Sequence, residues 1–105
     1  MSFNVLFMAH SPDSDPELHR SQIVTGKYIL FTVVVKDQKQ ALEIAKSMTR
    51  KHHLDSILLC PGFSHSDVAE IFDSLDRKVG VCVARGDGLS NQISKQARHR
   101  AYGDQ

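Results

Sequence analysis

Apolar positions along this chain follow two rhythms. Residues 3–9 (FNVLFMA), 28–35 (YILFTVVV), 56–60 (SILLC) and 78–84 (KVGVCVA) are short, nearly unbroken apolar runs, the pattern of strands buried on both faces. The run at 28–35 is almost wholly β-branched or aromatic, and such residues favour strands. Elsewhere the spacing widens to a helical period. Ala41, Ile44, Ala45 and Met48 fall at i, i+3, i+4, i+7 behind Asp37 and Gln40, which resemble a capping box. Val68, Ile71, Phe72 and Leu75 repeat that spacing behind Ser64 and Asp67. Asp15-Pro16-Glu17 predicts one further, short helix ending before Thr25-Gly26. There Asp caps free N–H groups, Pro suits the first helical position and Glu complements the dipole.

Strands alternating with helices predict an α/β domain built on a small, mostly parallel sheet with helices on both faces. Four strands are expected, in the flavodoxin-like order 2-1-3-4. Residues 1–88 make the domain and residues 89–105 a C-terminal tail or short helix. A helix over 90–100 has only Ile93 and Ala97 as its apolar face. With 105 residues the chain is one domain with a modest core, so homo-oligomerisation is expected as a source of stability. The bare sheet edge beside residues 28–35 is the expected contact, since an unpaired apolar edge invites pairing.

Charge narrows the function classes. Thirteen basic and twelve acidic residues leave a net charge of +1, without the concentrated positive charge of nucleic-acid binders. The longest apolar run is eight residues, whereas a membrane-spanning helix needs about 20. The first residues carry no basic stretch, so no secretory signal is visible. The two cysteines, Cys60 and Cys82, match no zinc spacing, and reduced thiols in a cytoplasmic protein are expected. Cys82, alternating with Val81 and Val83, reads as core. Gly86-Asp87-Gly88 lacks the third glycine of a dinucleotide fingerprint, and no phosphate-binding loop or nucleophile elbow occurs. No metal and no cofactor is signalled.

In an open parallel sheet, ligands bind beyond the carboxyl ends of the strands, near the point where strand order reverses. That places the site between the first and third strands. His10 ends the first strand. Cys60-Pro61-Gly62-Phe63-Ser64-His65 follows the third, and Arg85 the fourth. Gly62 allows close backbone approach. Ser64 opens a helix whose free N–H groups favour an anion. His65 or His10 can act as a general acid or base, and Arg85 suits a carboxylate or phosphate. Cys60 is the candidate nucleophile, since a thiol near a helix start and an imidazole gains thiolate character. The bland alternatives stay open: a turn glycine, a helix cap, solvated histidines, a surface arginine and a small buried thiol. His19 and Arg20, on the expected short helix, can close over the strand ends or lie on an exposed face. The basic tail, with Lys95, Arg98, His99 and Arg100, reads as solvated or as a partner contact.

Three stretches carry a resemblance. Asp15-Pro16-Glu17-Leu18-His19-Arg20, Cys60-Pro61-Gly62-Phe63-Ser64-His65 and Val81-Cys82-Val83-Ala84-Arg85 resemble a family of small bacterial and fungal proteins known only as a domain of unknown function. The resemblance spans about residues 3–86. It implies no reaction, and it favours His19, Arg20, His65 and Arg85 as ligand-facing positions. The expected function is binding of a small anionic metabolite, a carboxylate or phosphate, at the strand ends. If catalytic, it is a proton transfer of isomerase or lyase type. The alternative is a non-catalytic oligomeric sensor or protein-interaction module. The sequence leaves open whether the protein is an enzyme.

Overall fold

Each of the four apolar runs forms a strand in the computed structural model, which describes residues 1–103. The elements are β1 (Phe3–His10), β2 (Arg20–Val24), β3 (Tyr28–Val35), α1 (Gln38–His52), β4 (Ser56–Leu59), α2 (His65–Ser74), β5 (Gly80–Val83) and α3 (Gly88–Tyr102). One sheet takes all five strands in the order β2-β3-β1-β4-β5. β1 pairs in parallel with both β3 and β4, and β4 pairs in parallel with β5. β2 pairs antiparallel with β3.

The fold is thus mixed α/β with a mostly parallel sheet, but two expectations need correction. The sheet has five strands rather than the expected four. The four strands read from the sequence occupy β3-β1-β4-β5, and β2 adds an antiparallel edge. The short helix expected from Asp15 is a single turn. Asp15 does cap it, accepting from the Glu17 N–H (2.9 Å), and the His19 N–H reaches the Asp15 carbonyl (2.8 Å). The chain then straightens, because Ile23 and Val24 pair opposite Leu30 and Ile29 of β3. The Thr25 hydroxyl accepts from the Lys27 and Tyr28 N–H groups and holds the turn between the strands. β3 therefore has no bare edge.

Helices also do not cover both faces. Alternation along the paired strands puts Leu6, Met8, Phe31, Val33, Ile57 and Leu59 on one face, where all are buried. The α1 stripe, Ala41, Ile44, Ala45 and Met48, buries against them with Ile71 of α2 and Phe63. Asp37 caps α1 by accepting from the Gln40 N–H, and Ser64 with Asp67 forms a reciprocal capping box on α2. The Gln38 side chain ties the start of α1 to Asp67 and Glu70 of α2. Among the described residues α3 has none buried. The opposite sheet face stays open, and Cys82, expected in the core, is exposed on it. No helix among the described residues is long and apolar enough to cross a membrane.

Leu6 is fully buried at the centre of the helix-covered face, whereas Ile23 is 60% exposed. Leu6→Ala should destabilise the chain by about 2–5 kcal/mol, and Ile23→Ala by no more than about 0.5 kcal/mol in the isolated chain. Urea unfolding of dilute protein measures both; equal losses would contradict this one-sided core.

Candidate functional site

β1 lies between β3 and β4, so the chain leaves its carboxyl end in one direction and β4 in the other. A cavity of about 520 Å³ opens at that point, lined by Ala9, His10, Cys60, Pro61 and Gly62 from the strand ends and by Lys95, Arg98, His99, Tyr102 and Gly103 from the last helix. It lies where strand-order reversal places a site.

The His10 ring is held from two sides, and its backbone from a third direction. It stacks on Phe63 at 3.9 Å between centroids with planes 19° apart, and Phe63 is itself fully buried. Gly62 packs against it so closely that a Cβ at that position would stand 3.0 Å from His10 Nδ1 and 3.5 Å from Cys60 Sγ. A side chain there would push the imidazole out of place. The Tyr102 hydroxyl reaches over to the His10 carbonyl (3.5 Å). His10 Nε2 is buried with no hydrogen-bond partner among the described residues.

Cys60 is a free, half-buried thiol beside this ring. Burial pushes its pKa up. The hydrogen bond with His10, the backbone groups of Gly62 and His10 and the charge on His10 outweigh that, so the thiol ionises below its ordinary value. Such an environment favours the thiolate, which is the reactive form. Around it stand the cations of α3. Lys95, Arg98, His99 and Tyr102 fall at i, i+3, i+4, i+7, one face of the helix. No acidic residue lines the cavity among the described residues, and Lys95 and Arg98 make no ion pair among them. A small anion therefore meets fixed positive charge beside a thiol–imidazole pair. No group of three or more His, Cys, Asp or Glu side chains suited to a metal ion occurs among the described residues.

The structure separates residues that the sequence suggests together. His10, Cys60 and Gly62 meet in this cavity. Arg85 does not line it, but its guanidinium donates to the Pro61 carbonyl (3.4 Å) beside it. His65 lies in a different groove, with Val68, Ala69, Phe72, Val81 and Cys82. Ser64 and Asp67 use the first N–H groups of α2 on each other, so that helix start already carries its own carboxylate. His19 Nδ1 accepts from the Asp15 N–H (2.9 Å). Arg20 donates to the Pro16 carbonyl (2.7 Å) and lines a smaller hollow of about 230 Å³ between β2 and α1. Phe63 and the α3 side chains are site residues that strand-end reasoning overlooks. The spacing of the four α3 residues was the available signal.

Fold and site together define a small α/β domain with an electropositive, thiol-containing cavity at its strand ends. The chain belongs to the family of unknown function DUF6506, whose model matches residues 3–99. Neither the curated proteins nor the solved structures contain a match to it.

Alkylation reads the thiol directly. In a Cys82→Ser background, the iodoacetamide rate of Cys60 should rise to its plateau at a pH below that of an unperturbed thiol, because the thiolate is the form that reacts. His10→Ala should move the midpoint upward, since burial then acts with one fewer opposing group. An unmoved midpoint would show that His10 does not set the ionisation.

Proposed function

We propose that this protein binds a small anionic metabolite, a carboxylate or a phosphate, in the cavity between the β1 and β4 ends, and catalyses a proton transfer on it. One observation carries the reading: a thiol held below its ordinary pKa by His10 shares a cavity with Lys95, Arg98 and His99. Cations hold the ligand's negative charge and any charge that develops next to it during reaction. The Cys60 thiolate takes a proton from the carbon beside the bound group and, as the thiol, gives it back at a neighbouring position, which restores the thiolate. The His10 ring, hydrogen-bonded to the sulfur, favours its charged form before and after the transfer. The scheme is that of an isomerase; with a leaving group on the substrate, the same proton removal becomes a lyase reaction. It consumes no electrons and works with both thiols reduced, as in the cytoplasm.

The chemistry is placed on His10 rather than His65 because only His10 touches the thiol. Arg85 acts by holding the Pro61 carbonyl, and so the turn beside Cys60.

A thermal-shift series with inorganic phosphate and small carboxylates tests the binding step. At 100 times its dissociation constant a ligand stabilises the fold by about 2.7 kcal/mol, which at this chain length is about 10 °C or more. Wild type should respond to at least one anion, and a Lys95→Ala, Arg98→Ala double variant should lose the response. His65→Ala should keep it. An anion response surviving the double variant would place the site elsewhere.

A further inference from the structure

The sheet face turned away from α1 and α2 carries no role in the site described above. Its side chains follow from the strand register. Phe3, Val5 and Phe7 of β1 stand beside Tyr28, Leu30 and Thr32 of β3. Ile23 of β2 faces Leu30. Across β1 from β3, Leu58 of β4 stands beside Cys82 of β5. Among the described residues no charged side chain alternates onto this face of the five strands. Phe3 is 51%, Ile23 60% and Leu58 40% exposed. The Phe3 and Tyr28 rings already meet across their strands at 5.8 Å, tilted by 43°, and Val5 at the centre of the face is only 5% exposed.

We propose that this face packs against the same face of a second copy of the chain, forming a two-fold dimer. Size supports this occupant. Five strands at about 4.8 Å spacing and about 3.3 Å per residue present roughly 450 Å² in plan, so two faces hide roughly 900 Å² before side-chain relief is counted. Relief brings the total into the range of stable interfaces, which begins at about 1,000–1,200 Å². A patch of roughly this extent is at the upper end of what a monomer exposes, and patches of that size are often functional. Self-pairing also suits the chemistry. A two-fold contact brings like residues near one another, and a surface without charges meets its own copy without repulsion. A parallel sheet is ordinarily covered on both faces, and among the described residues α1 and α2 cover one of the two.

The face continues into the candidate site. Ala9 follows Phe7 by two residues, so it ends the same face at the cavity. In the dimer a second copy therefore lies beside the cavity mouth. The contact is through the sheet face, not through the edge of β3, which β2 covers.

Sedimentation equilibrium of the full chain from 1 to 100 μM, with the thiol reactivity of Cys82 in a Cys60→Ser background, tests the proposal. Wild type should approach twice its monomer mass of 11.7 kDa. Leu58→Lys should sediment as a monomer with an unchanged circular dichroism spectrum. Ile23→Lys, at a more exposed edge position, should weaken association at least tenfold and guards against misfolding of the first variant. Cys82 should react at least tenfold more slowly in the dimer than in the Leu58→Lys monomer. A wild type that stays monomeric at 100 μM with fast Cys82 reaction overturns the proposal and leaves the face to a different protein. A dimer that survives both lysine variants overturns it too, since association then uses another surface.

Discussion

Everything in this structure depends on β1 being paired in parallel on both sides. Flanked by β3 and β4, it has no free edge, and its Leu6 and Met8 are fully buried. Parallel neighbours cannot be joined by a tight turn and need a crossover. α1 makes that crossover between β3 and β4, and its stripe of small and medium apolar residues brings one layer of cover. The same arrangement sends the chain away from the carboxyl ends of β1 and β4 on different paths, which opens the space where His10 and Cys60 meet. Core and cavity are two consequences of one pairing pattern.

The chemistry of the cavity rests on a contest between burial and hydrogen bonding. Burial alone makes a thiolate costly. The imidazole of His10 reverses that outcome, and the ring keeps its position because Phe63 lies beneath it and Gly62 leaves room beside it. Phe63 belongs to the buried core and is three residues from Cys60, so the loop after β4 delivers the thiol, the space and the stacking partner within four residues. α3 contributes charge without contributing to the core. Its cationic face lines the cavity while Leu89 and Ile93 stay exposed.

Local patterns in the sequence were enough for most of the elements. Continuous apolar runs mark β1, β3, β4 and β5. The i, i+3, i+4, i+7 stripe marks α1, and Ser64 with Asp67 marks the start of α2. What escaped depends on distant residues. The cap at Asp15 is real, but a cap starts a helix without prolonging it; Ile23 and Val24 become β2 only because β3 offers an edge. Cys82 alternates with valines as a core residue would, yet the absence of a covering layer leaves it in water, which no local pattern reveals. The site was legible to the same extent. The strand-end rule locates His10, Cys60 and Gly62, but it cannot choose His10 over His65. That choice follows from the Phe63 stack and from the carboxylate of Asp67 at the start of α2. The α3 cations form a face visible in their spacing, but their contact with β1 and β4 is long-range.

The central claim is that an anion binds between the β1 and β4 ends, held by α3 and next to Cys60. Titrating ¹⁵N-labelled protein with inorganic phosphate while following amide shifts tests it most directly. Saturable shifts concentrated at His10, Cys60, Gly62, Lys95 and Arg98, with His65 and Arg20 unmoved, are the predicted result. Shifts centred on the start of α2 or on β2, or shifts spread without saturation over the surface, would contradict it.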